Sequence, residues 1–546
     1  MSKKSNLATV LLWAVFYLAI FSILLNNSFS YLDSDLGWHL GLGQRIAETG
    51  EAPKENLINY PIAGEEWIDH EWLINYLTYQ VYDKLGFIGL NIFFALLPLG
   101  VLFLLHWWIN RHYLKNASTI ALAGLIFLGL YGMLPSLGIR MQEVALLGLT
   151  LLLILIYFYD KKQKSPIFLL WLAPLFFVWT NLHGSFIIGL FLMAFFVAVK
   201  IGHTACYLFL PNLAAKFGPK PSLKRVLLFL PPAIAGAGAT LLTPYGTAII
   251  DLFSRIHVGG AYHLKNIAEW LPTYAIPLQY PQIAYMAVAA AAVLIALGSV
   301  FAAREKESER PLSLDAWQLS LFALFLFLAF QSKRHFPLFF VASLPLAVEI
   351  YAKELSQAPA FLNWLKQSRL IRFYLLAGLL GVISLQLLKT NFTTTPFQDP
   401  SYCQTYPCQT LEFIKNNPEL RELRLFNNYD WGGYIFWAWP GKQTFIDGRL
   451  PQHPVDGHTF LEEYHEFYAK EEEKVNSQLA KYGVEVVLYK KYPPYRADWL
   501  EQFLFRLPDP VIERGEDGLR NYLEEKPAWE LIYEDNLSKV YKKVNS

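Results

Sequence analysis

Charge is what this sequence has least of. Only 17% of its 546 residues are Asp, Glu, Lys or Arg, while 54% are hydrophobic; soluble domains carry roughly 25% charged residues. That excludes a wholly soluble chain, and an intrinsically disordered one, which lacks apolar residues to bury. The charges also balance: 46 Lys and Arg against 45 Asp and Glu leave a formal net charge of +1. A nucleic-acid binder should show a basic excess, so nucleic acid is not an expected partner. No internal repeat is evident, and the Gly432-Gly433 pair lacks the spacing of either phosphate-binding glycine loop. Only three cysteines occur.

What the chain does have is long apolar runs. A helix crossing the hydrocarbon core needs about 20 apolar residues. That measure finds segments near 7–26, 86–108, 118–135, 142–159, 166–182, 185–203, 226–243, 282–302, 313–331, 336–351 and 370–388. The first follows Lys3 and Lys4 but is too long for a signal-peptide core, so it reads as an anchor. The expected fold is therefore a polytopic α-helical membrane protein with about eleven spans. Short loops rich in Lys and Arg stay cytoplasmic. With the N-terminus inside, alternate loops hold Arg111/Lys115, Lys161/Lys162/Lys164, Lys216/Lys220/Lys224/Arg225, Arg304/Lys306/Arg310 and Lys353/Lys366/Arg369/Arg372. The same alternation puts residues 390–546 outside. Cys403 and Cys408 then lie where a disulfide can persist, although sequence alone leaves their pairing open. Cys206, near a cytoplasmic boundary, has no partner.

Residues 1–389 are thus read as the membrane module, with a long first outer loop over 27–85, and 390–546 as a soluble extracytoplasmic domain. In the loop, residues 36–49 are amphipathic and Gly50 is a natural C-cap. Residues 53–61 read as extended, and a second amphipathic stretch ends near Gly86. The chemistry-bearing residues are Asp33, Asp35, His39, Asp69, His70 and Glu71. Later outer turns add Arg140 with Gln142 and Glu143, then His183, then Arg255, His257, His263, Lys265 and Glu269, and finally Lys333, Arg334 and His335. Ionisable groups at membrane depth are costly and usually face a watery cavity. Carboxylates from the first loop, with Arg and His from later turns, suit an anionic lipid substrate. Arg140, Arg334, His183, His39, His70 and His335 would hold phosphate, while Asp33, Asp35 or Glu71 acts on a hydroxyl. A divalent ion is a candidate cofactor, because Asp33, Asp35, His39, His70 and Glu71 offer suitable ligands.

The tail alternates predicted helices (411–416, 459–482, 497–506) with strands (423–426, 444–449 ending in a polar turn, 484–489, 529–534, 538–542), which indicates a small α/β domain. Asp430, Asp447 and Arg449 read either as a structural ion pair or as the roof of the membrane cavity.

Taken together, Asp33-Ser-Asp35-Leu-Gly-Trp-His39, Trp67-Ile-Asp69-His70-Glu71-Trp-Leu73, Trp179-Thr-Asn-Leu-His183-Gly184, Tyr429-Asp430-Trp-Gly-Gly-Tyr434 and Phe445-Ile-Asp447-Gly-Arg449 carry a resemblance. The chain resembles the GT-C class of integral-membrane glycosyltransferases. Within it, the chain is similar to a prokaryotic group related to polyprenyl-phosphate-sugar-dependent protein mannosyltransferases and aminoarabinose transferases. The resemblance implies a GT-C-like membrane module and sugar transfer from a polyprenyl-phosphate donor to an acceptor on the outer face, with inversion. Asp33 or Asp35 would serve as acid/base or metal-binding carboxylate, and Glu71 would orient donor or acceptor. The His-rich and Arg-rich motifs of protein mannosyltransferases are not evident downstream, so the acceptor, whether glycan, lipid or protein, stays open. The competing reading is a lipid or saccharide transporter or flippase, which should show repeats and broken helices at mid-membrane. A non-catalytic assembly protein ranks below both, since many spans exceed what an anchor needs.

Overall fold

The structure is a computed structural model that describes residues 3–113, 119–255, 262–302, 314–356, 369–512 and 517–544. Lys115, His257, Arg304, Lys306, Arg310 and Lys366, which entered the loop assignment, lie outside the described residues.

The apolar runs fold as helices because a backbone in hydrocarbon must satisfy its own hydrogen bonds. In chain order they are α1 (Lys3–Ser30), α2 (Leu36–Thr49), α3 (Trp72–His112), α4 (Thr119–Met133), α5 (Glu143–Asp160), α6 (Leu172–Leu182), α7 (Phe186–Phe209), α8 (Pro211–Lys216), α9 (Leu223–Ala239), α10 (Ala248–Arg255), α11 (Tyr262–Asn266), α12 (Tyr280–Ala302), α13 (Ala316–Gln331), α14 (Phe336–Ser356) and α15 (Arg369–Lys389). Every predicted span coincides with helix, but the number of crossings is not thereby eleven. Among the described residues, six helices can cross a membrane by length and composition: Val10–Ser30, Trp72–His112, Glu143–Asp160, Phe186–Phe209, Tyr280–Phe301 and Lys333–Lys353. Ala121–Ser136, Pro166–Leu182, Ala316–Gln331 and Phe373–Lys389 are apolar but shorter. Helix α9, with two prolines inside, belongs to neither group.

Helix α14 is the hub. It packs on α3, α4, α5, α12 and α13, and Phe339, Phe340, Val341, Leu344 and Val348 along it are fully buried. Some polar groups inside the bundle pair with one another, as Ser28 does by donating to Asn91 Oδ1 at 2.6 Å.

The segment between α1 and α3 behaves as its amphipathic pattern predicts. Helix α2 ends at Gly50, whose φ of 75° is the left-handed C-cap conformation. Helix α3 starts in the segment after α2 and bends at Gly86 (φ 67°, ψ −171°), which sets its first part, Trp72 to Leu85, at an angle to the long apolar part that follows. Strand order in the main tail sheet is β1-β2-β4-β3, from β1 (Leu425–Asn427), β2 (Val486–Lys490), β3 (Trp529–Glu534) and β4 (Ser538–Lys543). β1 runs parallel to β2, and β4 is antiparallel to both β2 and β3. Two strand and helix expectations fail locally. Residues 444–449 form no strand; Thr444 only bridges Asn59, and the rest is a turn built around the Asp447 side chain. Residues 459–482 split into Phe460–Glu466 and Glu472–Lys481.

The tail is sewn to the exit of α1. Tyr402 and Tyr406 donate their hydroxyls to the carbonyls of Phe29 and Leu32, each at 2.6 Å. Both tyrosines sit in or beside the loop closed by the Cys403–Cys408 disulfide. Cys206 is a free thiol. The chain leaving α1 is therefore held rigidly just before Asp33.

Candidate active site

Two buried turns and two motifs meet at the tail-facing end of the bundle. Asp33 is buried and accepts from Arg140 Nε at 2.6 Å through Oδ2. Its Oδ1 accepts from the backbone N–H of Asp35 at 2.9 Å, closing an Asx turn. Arg140 also reaches Glu269 (Nη1–Oε2 3.4 Å). Glu269 in turn pairs with Arg334, whose guanidinium lies 4.8 Å over the Trp270 ring. Asp33, Arg140, Glu269 and Arg334 so form one alternating chain of charge. Burial opposes the charge on Arg140, but Asp33 and Glu269 outweigh it and hold the guanidinium firmly protonated.

The motif 67–73 locks into the motif 179–184. Trp72 Nε1 donates to Asn181 Oδ1 at 2.9 Å, and the His70 ring covers Gly184, where a side chain would collide with it. His183 Nδ1 accepts the backbone N–H of Ser185 at 3.0 Å. That acceptor role places the imidazole proton on Nε2, which points at Glu71 Oε1 3.1 Å away. Burial holds His183 well below the ordinary imidazole range. Burial, reinforced by the Asp69 and Asp35 charges, pushes the Glu71 carboxyl up to about 8.

Behind this pair, His39 Nδ1 donates to Asn75 Oδ1 at 2.6 Å, and Asn75 Nδ2 donates to both Asp69 oxygens at 3.1 and 2.9 Å. Burial lowers His39 to about 4 and raises Asp69 to about 6. His39 is thus a neutral, hydrogen-bonded support on α2. Asp35 differs from Asp33 and Asp447: among the described residues no cation lies within ion-pair distance of it. Burial and the Asp33 charge push it up to about 7.

The tail motifs roof this turn. A side chain on Gly433 would run into the Ser34 carbonyl, and one on Gly448 into the Asp35 carboxylate. The two glycines therefore permit a close backbone approach that any larger residue would block. Asp447 and Arg449 pair at 2.8 Å and clasp Asn59 of the first loop through Asn59 Nδ2–Asp447 Oδ2 (3.0 Å) and Arg449 Nη2–Asn59 Oδ1 (2.8 Å). Asp430 does not join them and pairs with Lys490 at 2.6 Å.

Of the residues expected at the site, Asp33, Asp35, Glu71, His70, Arg140, His183 and Arg334 are gathered, with His39 one layer back. His335 faces Trp270 at 5.8 Å, and its Nδ1 is buried without a partner among the described residues. A metal set of Asp33, Asp35 and His39 is not assembled, since Asp33 is committed to Arg140 and His39 to Asn75. Among the described residues no three His, Cys, Asp or Glu side chains group to hold a metal ion. Asn75 and the bridging role of Glu269 escaped sequence reading. Asn75 looks like one more polar residue of an amphipathic helix, and Glu269 sits in an aperiodic loop.

No protein-family model matches the chain, and no curated protein matches it. Among solved structures, the oligosaccharyltransferase of Archaeoglobus fulgidus in its apo form aligns with a TM-score of 0.49 at 11% identity, over 88% of this chain and 69% of that one. The same organism's oligosaccharyltransferase AglB in complex with an inhibitory peptide and a dolichol-phosphate gives 0.49 at 11% identity, over 90% and 70%. Its complex with Zn and sulfate gives 0.41 at 12% identity, over 87% and 67%.

Proposed function

We propose that this chain is a membrane glycosyltransferase that moves a sugar from a polyprenyl-phosphate donor to an acceptor hydroxyl or amide on the outer face, with inversion. The observation that carries the reading is Asp35: a half-buried carboxyl with no cation within ion-pair distance among the described residues, raised to about 7, in one cluster with the Arg140 and Arg334 guanidiniums and the Glu71–His183 pair. A base whose pKa lies near the working pH is best matched to take a proton in the transition state.

In the proposed step the acceptor oxygen or nitrogen attacks the anomeric carbon while Asp35 takes its proton. The bond from that carbon to the phosphate oxygen breaks, and the phosphate leaves with the electron pair. Arg140 and Arg334 stabilise the developing charge, an effect worth roughly a hundredfold or more per well-placed donor. Asp33 and Glu269 orient these guanidiniums and act as positioning residues. The raised carboxyls of Asp35, Asp69 and Glu71 are largely or partly protonated near neutrality, so the site repels an incoming phosphate less than its count of acids suggests. No step is assigned to a metal, since the described residues do not form a ligand group.

The test is turnover of radiolabelled polyprenyl-phosphate sugars by the purified chain in lipid. Asp35→Asn is expected to bind donor without transferring or releasing sugar. If the wild type neither binds nor turns over any donor in a broad panel, the reading fails, and movement of a lipid-linked saccharide across the membrane becomes the better account.

A further inference from the structure

A cavity of about 790 Å³ lies between Tyr82 of α3 and the tail, against the helix Gly432–Ala438. Its size falls within the roughly 300–1,000 Å³ typical of ligand pockets. The wall is aromatic. Trp437 meets Tyr82 edge-on at 5.8 Å and Phe397 at 5.9 Å, and Phe397 lies 5.9 Å from Tyr434. The rim is polar and uncharged, with Thr394, Thr395, Gln398 and Gln409 exposed. Glu412 and Lys415, the charged side chains of the lining, pair with each other at 2.8 Å and leave the cavity electrically neutral.

We propose that this cavity binds a neutral oligosaccharide. Sugar rings present apolar C–H faces that pack on aromatic rings, and hydroxyl edges that need amide and hydroxyl partners. The lining supplies both kinds of group. A lipid phosphate would require uncompensated positive charge, which the Glu412–Lys415 pair removes. The place also fits. Tyr82 belongs to the first part of α3, just ahead of the bend at Gly86, so the cavity lies where the tail meets that part of the helix. The helix that floors it rests its Gly433 on Ser34 and Trp38, so one seven-residue helix separates the cavity from the candidate site. The inference goes beyond the transferase reading and does not depend on it.

Titration calorimetry of the full chain in nanodiscs against maltooligosaccharides, chitooligosaccharides and mannooligosaccharides tests it. At least one series should bind, and Trp437→Ala should weaken that binding by roughly tenfold or more, the scale of a buried aromatic anchor. Thr395→Trp, which changes an exposed rim residue and spares the fold, should block it. Asp35→Asn should bind as the wild type does, which separates this cavity from the catalytic reading. The inference is overturned if no series binds the wild type, or if both cavity variants bind normally. Displacement of bound saccharide by anionic phospholipid that fails to bind Thr395→Trp would assign the cavity to a headgroup and overturn it as well.

Discussion

Two carboxylate–guanidinium clusters lie close together in this protein and have opposite characters. At the tail clasp, Asp447 is wholly buried and its oxygens are filled by Arg449, Asn59 and the Arg449 backbone N–H. At the membrane end, Asp33 and Arg140 are as well paired, but Asp35 and Glu71 beside them have no guanidinium partner among the described residues and ionise only near neutrality. A fully satisfied cluster can only hold structure together. One that leaves acidic protons near pH 7 can also move them.

The largest effect is expected from removing the Asp35 carboxylate, which has no cation partner among the described residues. Asp35→Asn should lower sugar transfer by about 10² to 10⁴-fold, the usual contribution of a general base, with thermal stability equal to or above wild type. An amide of the same shape avoids the cost of charging a partly desolvated acid beside Asp33. Equal activity would make Asp35 a structural residue like Asp447. In the clasp, Arg449→Ala should do the reverse. It strands a buried carboxylate, a loss of about 3–5 kcal/mol, read as a fall in melting temperature and as proteolysis near residues 50–59. The remaining folded fraction should keep its intrinsic turnover.

Gly433→Ala tests the contact that joins the two clusters. A methyl group there must push the tail off the Ser34 carbonyl, at a cost of about 1–3 kcal/mol for overpacking. It should depress activity along with stability, because it displaces the Asp33–Asp35 turn itself. The pH profile sharpens the comparison further. Transfer should rise with pH up to about 7 as Asp35 loses its proton, and fall above about 8 as Glu71 loses its own; Glu71→Gln should abolish only the alkaline limb. Both carboxyls titrate higher when folded than when unfolded. The folded state therefore binds more protons between about pH 4 and 8, and stability should fall as pH rises through that window. The smallest effect belongs to Asp430→Asn. Its pair with Lys490 is half exposed, so less than about 1 kcal/mol is expected, with activity unchanged.

Much of the fold was legible because it rests on local pattern. Twenty-residue apolar runs, the Gly50 cap, the break at Gly86 and the buried strand at Val486–Lys490 each follow from a short stretch of residues. The misreadings share one cause. Thr444-Phe-Ile reads as a strand leading into a polar turn, yet Asn427 takes its backbone groups (Phe445 N–H to its Oδ1, 2.7 Å) and turns the segment into a socket for Asn59. The metal set of Asp33, Asp35 and His39 was drawn from spacing along one loop. Arg140 and Asn75, distant in sequence, claim two of those side chains first.

By itself the sequence determined an apolar helical bundle, a mixed α/β tail, and the identity of the acids, arginines and histidines that gather at one end. Those follow from hydropathy and periodicity, which act over one or two turns of chain. The tertiary structure decided which acid meets a cation among the described residues and which does not. It set Arg140 on Asp33 and His183 on Glu71, and left Asp35 under Gly448 with no counter-ion among the described residues. Proton affinity in a buried site depends on every charge and dipole within several ångströms, and the residues that supply them here lie far apart along the chain, as Asn59 and Asp447 do.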